Sequence, residues 1–181
     1  MQSFQWASGA VMLATSITAT ATQYATPEEA AKRCFPEATA FKDSTLQLTP
    51  DEMRAVAAAA GLPARSAQWR VMQAFSGDQP LGTVVFDSVI GKYELIDFAV
   101  GIAADGKVRH VEILNYRESH GYEVRLPAWR KQFVGKGPDA RLRLGEDIAN
   151  ISGATLSTTH ITDGVRRTVA VVAALKANGK V

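Results

Sequence analysis

The sequence predicts an α+β fold, an antiparallel β-sheet packed with helices and completed by a long C-terminal helix. Three observations carry that reading. Four successive runs, residues 69–75, 82–89, 93–103 and 108–115, are rich in the β-branched and aromatic side chains that suit half-buried strands. Asp105-Gly106, between the last two runs, is a tight hairpin signal, because glycine accepts the positive φ of such a turn without a Cβ clash. Toward the C-terminus Ile161, Val165, Val169, Val172 and Leu175 recur at steps of four and three, which is one face of a helix.

Composition bounds the rest. A chain of 181 residues with 46% hydrophobic and 21% charged residues is ordinary for a globular domain, and argues against disordered, collagen-like and multi-pass membrane classes. At this length folding buries roughly two thirds of the surface of the unfolded chain, so no metal or disulfide staple is required. The single cysteine, Cys34, permits no intramolecular disulfide, and neither zinc spacing nor a haem-attachment CxxCH occurs. A net charge of +2 is too small to indicate a nucleic-acid partner, and none is expected. That charge is unevenly distributed, with nine lysines and arginines against four acids between Gly106 and Arg143.

The elements follow in order. Residues 7–25 carry no charged side chain, and the apolar run around Val11, Met12 and Leu13 passes into Ala19-Thr20-Ala21, a small-x-small cleavage pattern. Residues 1–21 therefore read as a secretory signal, which places the mature protein in the periplasm or another extracytoplasmic space. The alternatives are membrane association through this segment and a buried helix; Thr15, Ser16, Thr18, Thr20 and Thr22 dilute it as a spanning helix. Residues 22–64 are expected to form an N-terminal helical extension. A small helix runs from Pro27 to about Cys34. A second starts at Thr49-Pro50-Asp51-Glu52, where a cap, a proline and a glutamate three residues past the cap satisfy the first amides, and it stops at Gly61 and Pro63. Residues 65–181 form the main domain, in which the four strands precede a short helix over 128–134 ended by Gly135. Trp69, Phe75, Phe86, Tyr93, Phe98 and Phe133 read as core.

The chemically informative stretch is Ile151-Ser152-Gly153-Ala154-Thr155-Leu156-Ser157, directly before the terminal helix. Several hydroxyls at a helix entrance have two readings. They cap the helix, or the unpaired amides and the positive end of the helix dipole receive a phosphate. Gly153 and Ala154 leave the backbone beside Thr155 open to a bulky group. His110 and His160 read as surface or packing residues, since neither has a second ligand at metal-binding spacing.

Ser152-Gly153-Ala154-Thr155 before a helix resembles the attachment motif of the FMN-binding domain family, which includes flavoprotein subunits of sodium-pumping quinone reductases and Rnf-type electron-transport complexes. The resemblance runs from about Val89 to Leu175. It includes Arg117-Glu118-Ser119-His120-Gly121, the segment Gln132-Phe133-Val134-Gly135-Lys136, and Thr162-Asp163-Gly164-Val165, and it is nearest to small exported members that stand alone. The resemblance implies FMN joined through its phosphate to Thr155 by a separate, magnesium-dependent flavin transferase that uses FAD, with Ser152, Gly153, Ala154, Leu156 and Ser157 around the attachment point. It further implies that Glu118, Ser119, His120 and Gly121 lie over the flavin.

The implied function is an electron-transfer carrier or reductase component with a membrane or periplasmic redox partner, rather than a stand-alone enzyme. The alternative is a non-catalytic module that holds a flavin or another ligand. No GxGxxG follows a strand, so no nicotinamide site is visible. The motif departs from the family pattern at Ala149, where an acidic residue often stands; Asp147 lies two residues earlier, beside Glu146, and Asn150 just after. FMN held without a bond is the alternative that this departure leaves open.

Overall fold

Both predicted helices of the N-terminal segment begin at a threonine whose side chain accepts from the third helical amide while a glutamate reaches back to the threonine N–H. Thr26 and Glu29 do this for α1 (Pro27–Cys34), and Thr49 and Glu52 for α2 (Pro50–Ala60), which ends at Gly61 with φ 63°. The computed structural model describes residues 22–181. The expected secretory signal at residues 1–21 lies outside the described residues.

Six strands form one antiparallel sheet in the order β1-β6-β5-β4-β3-β2. They are β1 (Thr22–Gln23), β2 (Ala40–Gln47), β3 (Gln68–Ser76), β4 (Gln79–Ile90), β5 (Leu95–Ala103) and β6 (Val108–Tyr116). β3 to β6 fall where the sequence predicts them, with Asp105-Gly106 turning the last hairpin at a Gly106 φ of 86°. The segment expected to be helical, 22–64, also supplies two strands. β2 (AFKDSTLQ) has no fully buried residue, and it is a strand because its main chain pairs with β3 along its whole length, from Ala40↔Phe75 to Gln47↔Gln68. Its large apolar side chains, Phe41 and Leu46, pack only in part against the core, so no alternating apolar pattern marks the strand.

Successive side chains of a strand point to opposite faces, and here both faces are covered. On one face Phe98, Val100, Val85 and Ile113 pack under α2 and the long α4 (Thr155–Ala177). On the other, Ala99, Val84 and Met72 pack under α1, against Cys34 and Phe35. Two glycines set how closely these helices approach. A Cβ at Gly101 would lie 2.6 Å from Cys34 Cβ, and one at Gly164, within α4, 2.6 Å from Phe98 Cζ. α4 buries Thr158, Thr162 and Thr168 against the sheet; the Thr162 and Thr168 hydroxyls each donate to the carbonyl four residues before it, so neither is left unpaired. Among the described residues no helix is long and apolar enough to cross a membrane.

Between β6 and α4 the chain passes through a 3-10 turn (Tyr122–Arg125), α3 (Pro127–Arg130) and a second 3-10 turn (Lys131–Phe133), close to the predicted short helix. Trp129 is core, edge-on to Phe133 at 5.1 Å between ring centroids. Arg130 is buried with Glu112, at 3.0 Å, and Glu112 also takes His110 at 2.9 Å. Six of the nine cations of the basic stretch are held in such pairs: Arg109, Arg117, Arg130, Lys136, Arg141 and Arg143.

Candidate functional site

The Ser/Thr cluster does not cap α4. Its N-cap is Ala154, which has no side-chain bond to offer. Thr158 and Thr159 direct their hydroxyls to oxygens, including the Thr155 carbonyl at 3.0 and 2.7 Å, while Ser152 is exposed. Among the described residues nothing accepts from the amides of Thr155, Leu156 and Ser157. Of the two readings, the structure removes the cap and leaves the bare helix entrance.

That entrance opens into a cleft of about 580 Å³. One wall is the motif turn, Gly153, Ala154, Thr155, Leu156 and Ser157; the other is Glu118, Ser119 and His120, with Lys92 and Tyr93 at the rim. Eight of the ten residues singled out from the sequence line it. Ser152 stands just before it, and Gly121 lies behind it as a spacer. Gly121 has φ 82°, and a Cβ there would meet Tyr116 Oη at 2.7 Å and Ala154 Cβ at 2.9 Å, so the two walls touch only because this residue has no side chain. Tyr116 fastens the same point: its hydroxyl donates to the His120 carbonyl and lies 3.3 Å from Ser157 Oγ. Burial, above all, pushes the Tyr116 phenol up, which keeps it a neutral donor.

Glu118 shapes the rim rather than facing freely into the cleft. Its Oε1 accepts from the amides of Tyr93 at 2.6 Å and Glu94 at 2.9 Å, folding the 91–94 turn against the site. Burial alone would raise its carboxyl, but these amides, that of Lys92 and the Lys92 charge outweigh burial and hold it below the usual carboxylate range. Tyr93, read from the sequence as core, is 75% exposed on this turn, because β5 begins only at Leu95. Lys92 lies over its ring at 4.8 Å. Sequence reasoning missed both as site residues. The one local signal was Gly91-Lys92 directly after a strand, which marks a turn but not where the turn faces.

The approach to Thr155 is anchored from α3 and its extension. Trp129 Nε1 donates to the Ala149 carbonyl at 2.8 Å, and Gln132 Oε1 accepts from the Ala149 amide at 2.7 Å. Asp147 is occupied nearby, accepting from the Leu142 and Arg143 amides and pairing with Lys136. His160 reaches the carbonyls of Ile90 and Gly91, which makes its Nδ1 a donor and its role the tie between α4 and the end of β4. Thr155 itself is exposed, and its hydroxyl oxygen accepts from Asn150 Nδ2 at 3.0 Å.

These features fit a phosphate-bearing ligand. Three unpaired amides and the positive end of a helix of 23 residues favour an anion, and Gly153 and Ala154 put no bulk before them. Among solved structures, the crystal structure of Shewanella oneidensis NqrC is similar, with a TM-score of 0.51 and 17% identity over 81% of this chain and 88% of that one. At this identity the likeness is one of fold. No curated protein matches the sequence. Over residues 91–170, which run from the turn after β4 into α4 and include the whole cleft, the chain matches the family model of the FMN-binding domain.

Proposed function

We propose that the protein is an exported electron-transfer flavoprotein, a carrier or reductase component, that holds FMN through a phosphodiester to Thr155. The observation that carries this reading is the exposed Thr155 hydroxyl beside three uncapped α4 amides, at the mouth of a cleft large enough for a ring system. A phosphate joined there gains the amides and the helix dipole without displacing any bond of the fold. FMN supplies the redox chemistry when bound, and the protein supplies position, shielding and charge. Tyr93 and Leu156, exposed at the rim, offer apolar surface to the ring system, and Lys92 favours negative charge beside it.

A threonine hydroxyl is a weak nucleophile near neutral pH, so attachment calls for a separate transferase that brings FAD, a base and magnesium. The apolar run before Ala19-Thr20-Ala21 supports export, and a membrane or periplasmic redox partner follows from that location. The test is co-expression with a flavin transferase, followed by denaturation and mass measurement. Wild type is expected to retain fluorescence and the mass of one FMN, and Thr155→Val to lose both while keeping its fold, since Thr155 contributes one exposed hydrogen bond. An adduct that persists in Thr155→Val places the attachment elsewhere.

A further inference from the structure

Resting on Thr155 as the attachment residue, we propose that Asn150 is the positioning residue that presents the Thr155 hydroxyl for transfer. Its amide oxygen is held from two sides, by the Ile151 N–H at 2.8 Å and by the Thr158 hydroxyl at 2.7 Å. Two donors on one oxygen decide which end of the amide faces Thr155: only Nδ2 remains, and it donates to Thr155 Oγ1 at 3.0 Å. Both supports are firm. Thr158 is fully buried on α4, and the peptide preceding Asn150 is clamped by Trp129 and Gln132.

The arrangement is not a helix cap, because Asn150 offers its oxygen to Ile151 and not to the bare amides of Thr155 to Ser157. An exposed asparagine ordinarily satisfies itself with water. This one has its carboxamide locked from the core outward, and it ends on the Thr155 hydroxyl.

The chemical consequence has two parts. The bond selects one of the three staggered positions of the Thr155 hydroxyl, and because that oxygen is already an acceptor from Asn150, its own proton points away, open to a base. In the transfer, Oγ1 forms a bond to the phosphorus of the FMN half of FAD and the bridging P–O bond to the AMP half breaks. AMP leaves with that electron pair, and the hydroxyl proton passes to the base of the transferase. Negative charge develops on Oγ1 as the proton departs, and a fixed N–H donor stabilises it there.

The test uses the full mature chain as substrate for a purified flavin transferase with FAD and magnesium. Initial rates of covalent FMN incorporation are followed by mass across a range of acceptor concentrations. Asn150→Asp keeps an oxygen for Ile151 and Thr158 but replaces the donor facing Thr155, and Asn150→Ala removes the whole carboxamide. Both are expected to lower kcat by about tenfold or more, less than a fully buried oxyanion donor because the site is exposed, with KM and the thermal midpoint unchanged. Thr158→Val, which unlocks the amide without touching Thr155 Oγ1, is expected to lower kcat in the same direction by a smaller factor.

Wild type labelled on Thr155 with Asn150→Asp labelled as fast or faster overturns the positioning role and leaves the attachment reading standing. A rise in KM at constant kcat overturns it too, by making Asn150 a recognition residue. Wild type that takes no FMN overturns the attachment reading and this inference with it.

Discussion

Gly121→Ala addresses the joint that builds the cleft. The substitution acts twice. At φ 82° a residue with a Cβ is strained by roughly 1 kcal/mol relative to glycine. The new methyl group then meets Tyr116 Oη at 2.7 Å and Ala154 Cβ at 2.9 Å, distances that force a shift, and overpacking of this kind costs about 1–3 kcal/mol. Together these give about 2–4 kcal/mol, which in a domain of this size lowers the thermal midpoint by about 5–15 °C.

Relief of the Ala154 contact moves the 118–121 loop off the motif turn, and relief of the other displaces the Tyr116 hydroxyl. Circular dichroism melting measures the loss. Tyr116→Phe distinguishes its origin, because it removes the nearest clashing atom together with the bond to the His120 carbonyl. The double variant is therefore expected to be more stable than the sum of the two single losses predicts, by about 1 kcal/mol. A midpoint within about 2 °C of wild type for Gly121→Ala, or strict additivity with Tyr116→Phe, refutes the direct seating of Gly121 between Ala154 and Tyr116.

Acid titration bears on Glu118. Its folded pKa lies below the ordinary 4.5, so its contribution is complete above about pH 4.5 and is lost as the pH falls through the folded value. Glu118→Gln is expected to lower stability by about 1 kcal/mol at pH 7 and to flatten the acid limb of the melting curve, and an unchanged limb shows that the carboxylate does not hold the 91–94 turn. Cys34 is buried under α1, and burial first, then the Glu112 charge, pushes its thiol up to about 12. A thiol reagent at pH 8 is expected to leave the native protein untouched and to modify one thiol in denaturant; rapid native labelling would show that α1 lifts readily from the sheet.

The parts of the molecule legible in the sequence are those whose cause lies within a few residues. Thr26-Pro27 with Glu29, and Thr49-Pro50 with Glu52, announce their helices because a capping box closes over four positions. Asp105-Gly106 announces its hairpin for the same reason. Ser152 to Thr155 marked the place of interest, yet the same hydroxyls were compatible with a cap, and only their bonds in the folded chain decide between the two readings.

β2 was illegible because none of its eight residues is fully buried and they take their form from β3, which follows α2 in the chain. Tyr93 was misread because aromatic character says core, whereas the Glu118 carboxylate, 25 residues away, folds the turn that exposes it.

The sequence by itself determined the α+β class, the helix starts and the hairpin, which follow from local propensity and periodicity, and it marked the motif before α4 through its resemblance to a known family. Tertiary structure alone decided that the 118–121 loop and the 153–157 turn face one another across a cleft, with Gly121 against Ala154. It also decided that the α4 entrance is bare and that Asn150 turns its amide toward Thr155. The physical reason for the cleft is that it depends on close packing between segments some thirty residues apart. Packing of that kind is set by the spacing of whole elements around the sheet, and no window of the chain contains it.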